Sequence, residues 1–448
     1  MSTVSSISSP RRDISAIDAW EGSKRGRGTI VAVLDSFIQW DHPDLKNNIY
    51  QVGNFPDKYL GEVYGWDFSC LHENPYCTGD RDTRINKQEM NIVHEQLRDA
   101  FQLPDNLLFL NYPSQFERLR QWYPHLSFKE LAYLVRLELI QEKVFDFHGT
   151  QVSGVIAANP QQAKGIFGVA PEAKILPVRI FGLDGQISSA AIIKGIDYAA
   201  SRKVDVINMS YGAPLPHQAV VKKVREILDA NPQLVIVASA GNDGYDQLKG
   251  SSPPNMGFPA GLTDVVAVGA TNLKGKRAGY SSFGVKNCLL FNPDGNCLYE
   301  FGHGLTVVGP GGDFSNSRIG GILTTGGTWS DRFWGEFSPW SDWGINYDRK
   351  GKYIWTQGTS FSAPAVAGVI ALMKAEAPQL YRQQLIQILR DTASYDGLSL
   401  TPEELKFFNF LVQRGEVPIS VSARQFYFGT GLVNADAALK QIRANICF

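Results

Sequence analysis

The sequence has no apolar run long enough to cross a membrane and no excess of charge of either sign. Its 43 lysines and arginines offset 44 aspartates and glutamates, which gives a formal net charge of −1 at pH 7. This balance argues against nucleic acid or an acidic membrane surface as the main partner. What is present, 44% hydrophobic and 19% charged residues in 448 positions, is enough to bury a large α/β core.

Cysteine is also scarce, with five in the whole chain. Cys70 and Cys77 flank a short loop, and Cys288 and Cys297 flank a predicted hairpin turn. Both spacings would suit local disulfides in an oxidising compartment. Because the count is odd and the first ten residues lack the apolar segment of a secretory signal, we expect reduced thiols.

The segment 358–364, Gly-Thr-Ser-Phe-Ser-Ala-Pro, predicts a tight turn that places Ser360 at the start of a helix. Residues 365–372 are small and apolar, so this helix is predicted to be buried, with its N-terminal dipole directed towards Ser360. Such a position suits a nucleophile whose product carries an oxyanion. A serine-capped core helix has the same pattern, so this segment alone leaves both interpretations open.

Three further elements place polar side chains at the ends of apolar or small-residue segments. Residues 29–34 predict a buried strand that ends at Asp35, and 234–240 predict another that continues into Asn242. His148 precedes Gly-Thr and a helix of small residues. Separately, these residues would serve as a cap, a buried histidine and a turn asparagine. Together with a hydroxyl, they provide every group that a Ser-His-Asp triad needs.

The order Asp35, His148, Asn242, Ser360 resembles that of the subtilisin-like serine proteases, the subtilases. The resemblance extends over roughly residues 15–440, and an ordered set of motifs is specific where a single one is not. The motifs that carry it are His-Pro-Asp-Leu at 42–45, His-Gly-Thr at 148–150, Ile-Asn-Met-Ser-Tyr-Gly at 207–212, Ala-Gly-Asn at 240–242 and Gly-Thr-Ser at 358–360.

The resemblance implies a parallel, doubly wound α/β sheet flanked by helices and a serine endopeptidase activity. Ser360 would attack a peptide carbonyl, and His148 would accept its proton and return it to the leaving amine. Asp35 would orient the imidazole, and Asn242 would donate its side-chain amide to the oxyanion.

A polypeptide substrate would lie across the site as an added strand. The resemblance implies that Ser210, Tyr211 and Gly212 form one side of its track, and we expect Gly182 and Gly185 on the other. Tyr211 is a candidate pocket wall, with packing on the sheet as the alternative. The sequence does not predict which substrate residue is preferred.

The predicted organisation is an N-terminal extension, 1–28, and one peptidase domain, 29–445. Asp35 and His148 lie 113 residues apart, and the excess at 70–145 predicts an inserted helical subdomain. An aromatic-rich insertion is predicted at 312–357. We expect 70–145 to gate the substrate or to bind a regulatory protein, and the aromatic insertion to wall the cleft or to bind such a protein at 326–356. Packing onto the chain's own body is the alternative for each. The helical pattern of 70–145 rests on two apolar stripes and a capping box. The first stripe is Met90, Val93, Leu97 and Phe101, and the second is Phe116, Leu119 and Trp122. The capping box at 127–130 predicts the start of a helix over Leu131 to Lys143.

The sequence requires no cofactor, although the resemblance suggests calcium. Asp44 occupies a position that usually joins the calcium site of the family. The segment 159–165, Asn-Pro-Gln-Gln-Ala-Lys-Gly, offers amides but no carboxylate, and it includes a lysine. A degraded or missing site is therefore favoured over an intact one.

Two rival functions remain. A catalytically silent binding module would have no need for all four site residues. A serine carboxyl peptidase of related fold would need a carboxylate in place of Asn242 and a glutamate in place of His148. The sequence thus predicts an intracellular serine endopeptidase that is regulated by partner binding or processing. We expect a cytoplasmic location because no leader is visible; a missing leader would instead indicate a secreted or periplasmic enzyme.

Overall fold

The computed structural model describes residues 13–71, 79–145, 147–160, 165–183, 185–252, 254–284, 287–288, 300–301, 304–315, 320–327 and 352–446. Its strands are β1 (Ile30–Asp35), β2 (Trp66–Asp67), β3 (Lys174–Arg179), β4 (Val206–Met209), β5 (Val235–Ser239), β6 (Val265–Thr271), β7 (Asn287–Cys288), β8 (Glu300–Phe301), β9 (Val307–Pro310), β10 (Ile322–Thr325) and β11 (Tyr353–Thr356).

Seven of these strands form one parallel sheet in the order β2-β3-β1-β4-β5-β6-β9. The central strands are covered on both faces, so they consist of continuous apolar runs rather than alternating ones. In β1, for example, Val31, Ala32, Val33 and Leu34 are all fully buried. The predicted parallel, doubly wound α/β fold is confirmed.

The helices flank this sheet. Those next to the site are α6 and α10, which pack on each other, and α10 also packs on β4, β5 and β6. None of the helices in the described part of the chain is long and apolar enough to span a membrane. Their bounds are α1 (Ala16–Trp20), α2 (Lys87–Gln102), α3 (Asp105–Asn111), α4 (Pro113–Trp122), α5 (Phe128–Phe145), α6 (His148–Ala157), α7 (Ser189–Ser201), α8 (Gln218–Ala230), α9 (Gly244–Lys249), α10 (Thr359–Glu376), α11 (Arg382–Thr392), α12 (Pro402–Gln413), α13 (Ala423–Phe428) and α14 (Ala435–Ile446).

The order of the strands locates a crevice at the carboxyl end of β1. From β1 the chain adds β3 on one side and β4 on the other. Connections that leave a strand in opposite directions open a gap at its carboxyl end, where open α/β sheets bind ligands. Asp35 is the last residue of β1, and Ser210 directly follows β4.

The insertion between β1 and α6 is helical from α2 to α5, as predicted. The Ser127–Glu130 capping box is also confirmed, because Glu130 N–H donates to Ser127 Oγ at 3.3 Å and Ser127 N–H donates to Glu130 Oε2 at 2.7 Å. Its helix α5 begins at Phe128 rather than at Leu131, since the capping serine precedes the first helical residue.

Most of the two predicted stripes are buried in the core of the insertion: Met90, Val93, Leu97, Phe116 and Leu119. The last member of each stripe is not. Phe101 is 36% exposed and Trp122 is 63% exposed, and both lie in the final turns of their helices.

Two hairpins and a disulfide lie outside the main sheet. Strands β7 and β8 pair antiparallel, and the turn predicted between Cys288 and Cys297 lies outside the described residues. Cys70 is disulfide-bonded in the structure, whereas sequence analysis favoured reduced thiols. Disulfides persist mainly in oxidising compartments, so this bond does not support the expected cytoplasmic location. That location stays a prediction from sequence. Most of the aromatic-rich insertion, 316–319 and 328–351, lies outside the described residues.

The antiparallel hairpin of β10 and β11 holds the loop after β1 through His42. The His42 ring is fully buried. Its Nδ1 accepts the N–H of Asp44 at 3.1 Å, so its Nε2 carries the proton and donates to the carbonyl of Lys352 at 3.0 Å. A second proton would place two N–H groups face to face. Burial lowers the pKa of His42 from 6.5 to about 4, against smaller contributions of the opposite sign.

We predict that His42 makes the fold acid-sensitive. The stabilising contribution of neutral His42 is complete above pH 6.5 and is lost as the pH falls towards 4, because the unfolded chain takes up a proton that the folded chain does not. The loss amounts to up to about 3 kcal/mol. His42→Gln should flatten this part of the curve of unfolding free energy against pH, measured by urea denaturation. The exposed His125→Gln is the control, and an unchanged slope in His42→Gln would contradict the prediction.

Candidate active site

Asp35 and His148 form a buried pair at the carboxyl end of β1. Asp35 is fully buried, and its Oδ1 lies 2.8 Å from His148 Nδ1 and accepts the N–H of Ser36 at 2.7 Å. Its Oδ2 has no hydrogen-bond partner among the residues that the structure describes. A carboxylate so placed keeps the proton of a neutral imidazole on Nδ1, which leaves Nε2 as a proton acceptor.

The first turn of α6 places His148 against the loop after β1. Thr150 Oγ1 donates to the carbonyl of Phe37 at 3.1 Å, and Gly149 N–H donates to Ser36 Oγ at 3.1 Å. A Cβ at Gly149 would approach the carbonyl oxygen of Ser36 to 2.8 Å, so only glycine allows this contact. The loop and the helix are thereby held at the distance that the Asp35–His148 pair requires.

Ser360 lies in the first turn of α10, at the mouth of the crevice. Gly358 precedes the helix with φ of 144°, a conformation that L-residues other than glycine rarely adopt. Its N–H donates to Tyr280 Oη at 3.0 Å. The hydroxyl of Ser360 donates to the carbonyl of Ser210 at 3.0 Å, so the turn and the end of β4 fix the position of this hydroxyl.

Pro364 explains why a serine follows β4. Proline lacks the N–H that would donate to the carbonyl four residues earlier, which here is that of Ser360. Ser210 Oγ replaces this donor at 2.8 Å and itself accepts from Asn208 Nδ2 at 2.9 Å. Ser210 therefore contacts Ser360 twice, through its hydroxyl and through its carbonyl.

His148 lies beside this turn. The centroid of its ring is 5.3 Å from that of Phe361, the residue after Ser360. In this arrangement the Ser360 hydroxyl donates to the Ser210 carbonyl, whereas catalysis by a Ser-His pair needs it to donate to the imidazole. Hydrogen bonds of this kind are often formed only when substrate is bound.

Asn242 follows β5 and is oriented by Thr359. Its Oδ1 accepts the N–H of Thr359 at 3.1 Å and the Thr359 hydroxyl at 3.0 Å. The Nδ2 group lies near Gly358 in the same turn, and Asn242 is one of the residues that line the groove. Sequence analysis did not assign this role to Thr359. The available signal was a hydroxyl residue directly before the predicted nucleophile.

A groove of about 840 Å³ passes beside Ser360 and Asn242. Its lining combines these polar residues with the apolar side chains of Phe181, Ile187 and Ile192. The predicted track residues Ser210, Tyr211 and Gly212 also line it. An extended chain of several residues fits this length and mixture of surfaces.

Gly182 and Gly185 do not have the expected place. They lie in a small turn closed by the bridge between Phe181 and Ile187. Gly182 N–H donates to Gln186 O at 3.0 Å and Gly185 N–H donates to Gly182 O at 3.1 Å, so neither N–H is available to pair with a substrate. The turn uses the glycines for its own shape and presents its flanking apolar side chains to the groove.

Tyr211 combines the two roles that sequence analysis left open. It lines the groove, and its ring packs edge-on against Phe181 with centroids 5.6 Å apart. Its hydroxyl has no hydrogen-bond partner in the described part of the chain. Burial, and to a lesser degree the Asp35 carboxylate, raises the pKa of Tyr211, so this wall of the groove stays neutral next to the catalytic carboxylate.

Asp44, at the position where the resemblance suggests a calcium ligand, is engaged in hydrogen bonds. Its buried carboxylate accepts the Tyr353 hydroxyl at 2.9 Å and the Ile166 N–H at 3.1 Å, both on Oδ2. These donors direct positive hydrogens at Oδ2 and disfavour a cation on that oxygen. The described residues contain no cluster of three or more histidine, cysteine or acidic side chains able to hold a metal, while 161–164 lie outside them. We derive no catalytic step through calcium.

Comparison with known proteins agrees with this arrangement. The model of the subtilase family, peptidase S8, matches residues 26–410. Subtilisin NAT of Bacillus subtilis subsp. natto is 28% identical over 316 residues, which are 70% of this chain and 62% of that protein. The subtilisin of Bacillus pumilus is also 28% identical over 316 residues, with 86% of its length covered. This chain thus matches less than two thirds of subtilisin NAT.

Solved structures show the same fold. A protease of Pseudoalteromonas arctica PAMC 21717 superimposes with a TM-score of 0.56 at 22% identity, covering 96% of this chain and 94% of that one. Fervidolysin of Fervidobacterium pennivorans gives a TM-score of 0.53 at 23% identity, covering 94% and 44%. The family model extends over most of the chain, and the parallel sheet and the ordered motifs agree with it. The chain therefore belongs to the subtilase family.

Proposed function

We propose that this chain is a serine endopeptidase that hydrolyses peptide bonds. The observation that carries the proposal is the buried Asp35–His148 contact of 2.8 Å beside the helix whose first turn contains Ser360. Family membership supports the same reaction, since all four residues stand in the family's order.

In the proposed reaction, a peptide carbonyl lies between Ser360 and Asn242. His148 Nε2 removes the proton from Ser360 Oγ as this oxygen forms a bond with the carbonyl carbon. The negative carbonyl oxygen accepts hydrogen bonds from Asn242 Nδ2 and from the backbone N–H of Ser360. His148 then gives the proton to the leaving amine, and Asp35 stabilises the imidazolium between the two steps. Water repeats the sequence on the acyl-enzyme.

The proposed substrate is an extended polypeptide. Its apolar side chains would contact Phe181, Ile187 and Ile192 in the groove. The scissile bond would lie beside Ser360 and Asn242. Regulation by a partner protein belongs to the same proposal. The outer face of the helical insertion supports it, because Leu110, Trp122 and Tyr133 are all more than half exposed.

A fluorophosphonate probe tests the nucleophile. The purified chain should be labelled at pH 8, and Ser360→Ala should abolish both labelling and peptide hydrolysis, with a loss in kcat on the order of 10⁶-fold. Ser362→Ala is the matched control, because its buried hydroxyl donates to the carbonyl of Thr359 rather than facing the groove. Absence of labelling on the folded wild-type chain would favour the silent binding module instead.

Substitutions of the proposed oxyanion donor, Asn242, and of Thr359, which orients it, should lower kcat to different degrees. Asn242→Ala should lower kcat about 10²- to 10³-fold with little change in KM, because the lost bond strengthens only in the transition state. Thr359→Val keeps the backbone donor but removes the hydroxyl donor to Asn242 Oδ1, so it should cost roughly tenfold in kcat.

Thr359→Ser restores the hydroxyl and should recover most of the lost rate. Steady-state kinetics with one chromogenic peptide would measure all three variants. Equal kcat in Thr359→Val and Thr359→Ser would show that the hydroxyl does not orient Asn242.

A further inference from the structure

We propose that the helical insertion is a positioning part of the active site, and that Glu89 of α2 acts on the Asp35–His148 pair through the buried Arg179. This inference rests on the proposed function. To the two sequence-based expectations, a substrate gate and packing onto the chain's own body, it adds a role in holding the catalytic residues.

Arg179 is placed between the insertion and the catalytic strand. It is the last residue of β3 and pairs in register with Asp35, the last residue of β1. Its side chain is 2% exposed. A guanidinium in such a position must be compensated by buried acceptors, since the cost of removing an unpaired charge from water is several kcal/mol.

The compensating charges come from two different parts of the chain. Arg179 Nη1 lies 2.6 Å from Glu89 Oε1 and 3.3 Å from Asp67 Oδ2. Asp67 belongs to β2, at the edge of the main sheet, and Glu89 belongs to the first turn of α2. Glu89 Oε2 also accepts the N–H of Asn86 at 2.9 Å, which fixes the carboxylate at the start of its helix. The nearer ion pair therefore joins the insertion to the sheet.

Arg179 transmits this contact to the catalytic pair through Phe37. Its guanidinium carbon lies 4.0 Å from the centroid of the Phe37 ring, two residues after Asp35. The Phe37 carbonyl accepts the Thr150 hydroxyl, and its ring lies 6.3 Å from that of Phe147, the residue before His148. A shift of Phe37 thus moves the neighbours of both members of the pair.

Arg179 reaches the groove by a second route. Its Nε donates to the carbonyl of Phe181 at 3.2 Å. Phe181 is one of the apolar residues that line the groove. The same guanidinium therefore contacts the segment that supports the catalytic pair and the segment that forms the wall for the substrate.

Apolar packing joins the insertion to the same segments that Arg179 contacts. Phe37, Phe147 and Leu183 belong to the body of the protein, yet all three are buried in the insertion's core. They precede or follow catalytic or groove residues by one or two positions. Their insertion-side neighbours include Val93, Leu97 and Leu139. The apolar contact and the ion pair thus act on the same two segments.

The test compares Glu89→Gln with Glu138→Gln. Both replace a carboxylate of the insertion that pairs with an arginine at 2.6 Å, but Glu138 pairs with Arg118 within the insertion. Activity is expressed per site titrated with the fluorophosphonate probe, so unfolded protein does not contribute. We expect kcat per titrated site to fall about tenfold in Glu89→Gln, with a smaller change in KM, and to stay unchanged in Glu138→Gln.

A charge-free triple variant separates positioning from stability: Asp67→Asn, Glu89→Leu, Arg179→Met. Replacing a buried charge cluster by neutral side chains often leaves a fold as stable as before. The proposal predicts that this variant unfolds at a urea concentration near that of the wild type but keeps the low kcat, because the contacts to Phe37 and Phe181 are lost. It also carries the test if Glu89→Gln does not fold.

Two results would overturn the inference while the proposed function stands. One is a labelled wild type whose kcat per titrated site is unchanged in Glu89→Gln. The other is a triple variant that recovers both stability and kcat, which would make the ion pair purely structural. A folded wild type that the probe does not label would overturn the proposed function, and the inference with it.

Discussion

A buried carboxylate at the end of β1 is the constraint on which the rest of the site depends. Asp35 is fully buried, and no described residue donates a hydrogen bond to its Oδ2. Such a charge is tolerated only if its other oxygen is well satisfied, which the Ser36 N–H and His148 achieve at 2.7 and 2.8 Å. The hydrogen bond between His148 Nδ1 and Asp35 Oδ1 thus has two effects: it leaves His148 Nε2 as a proton acceptor, and it compensates the burial of the Asp35 carboxylate.

Three separate parts of the chain hold the loop that follows Asp35. The first turn of α6 holds it through Thr150 and Gly149. The hairpin of β10 and β11 holds it through His42 and through the Tyr353 hydroxyl, which takes the place on Asp44 where a cation would be expected in this family. The helical insertion holds it through apolar packing and Arg179. Because the hairpin leads directly into the turn of Ser360, acid, base and nucleophile share these supports.

The support at His42 and the support at Arg179 respond differently to conditions. The hydrogen bond from the Asp44 N–H to His42 Nδ1 requires a neutral imidazole, so it is lost in acid. The Arg179 cluster is an ion pair in a low-dielectric setting, where salt screens poorly. Neither His42 nor Arg179 is a residue of the proposed mechanism. His42 follows Asp35 by seven positions, and Arg179 pairs in register with Asp35 across the sheet.

The sequence by itself determined the local elements and the order of the chemical groups. Continuous apolar runs predicted buried strands, the 127–130 box predicted a helix start, and ordered motifs predicted Asp35, His148, Asn242 and Ser360. These signals are short-range, so they could be read without coordinates. Only the tertiary structure decided which residues support them. That Arg179 faces Glu89 and that Thr359 orients Asn242 both depend on contacts between distant segments. Such contacts are set by packing of the whole chain, which no local pattern encodes.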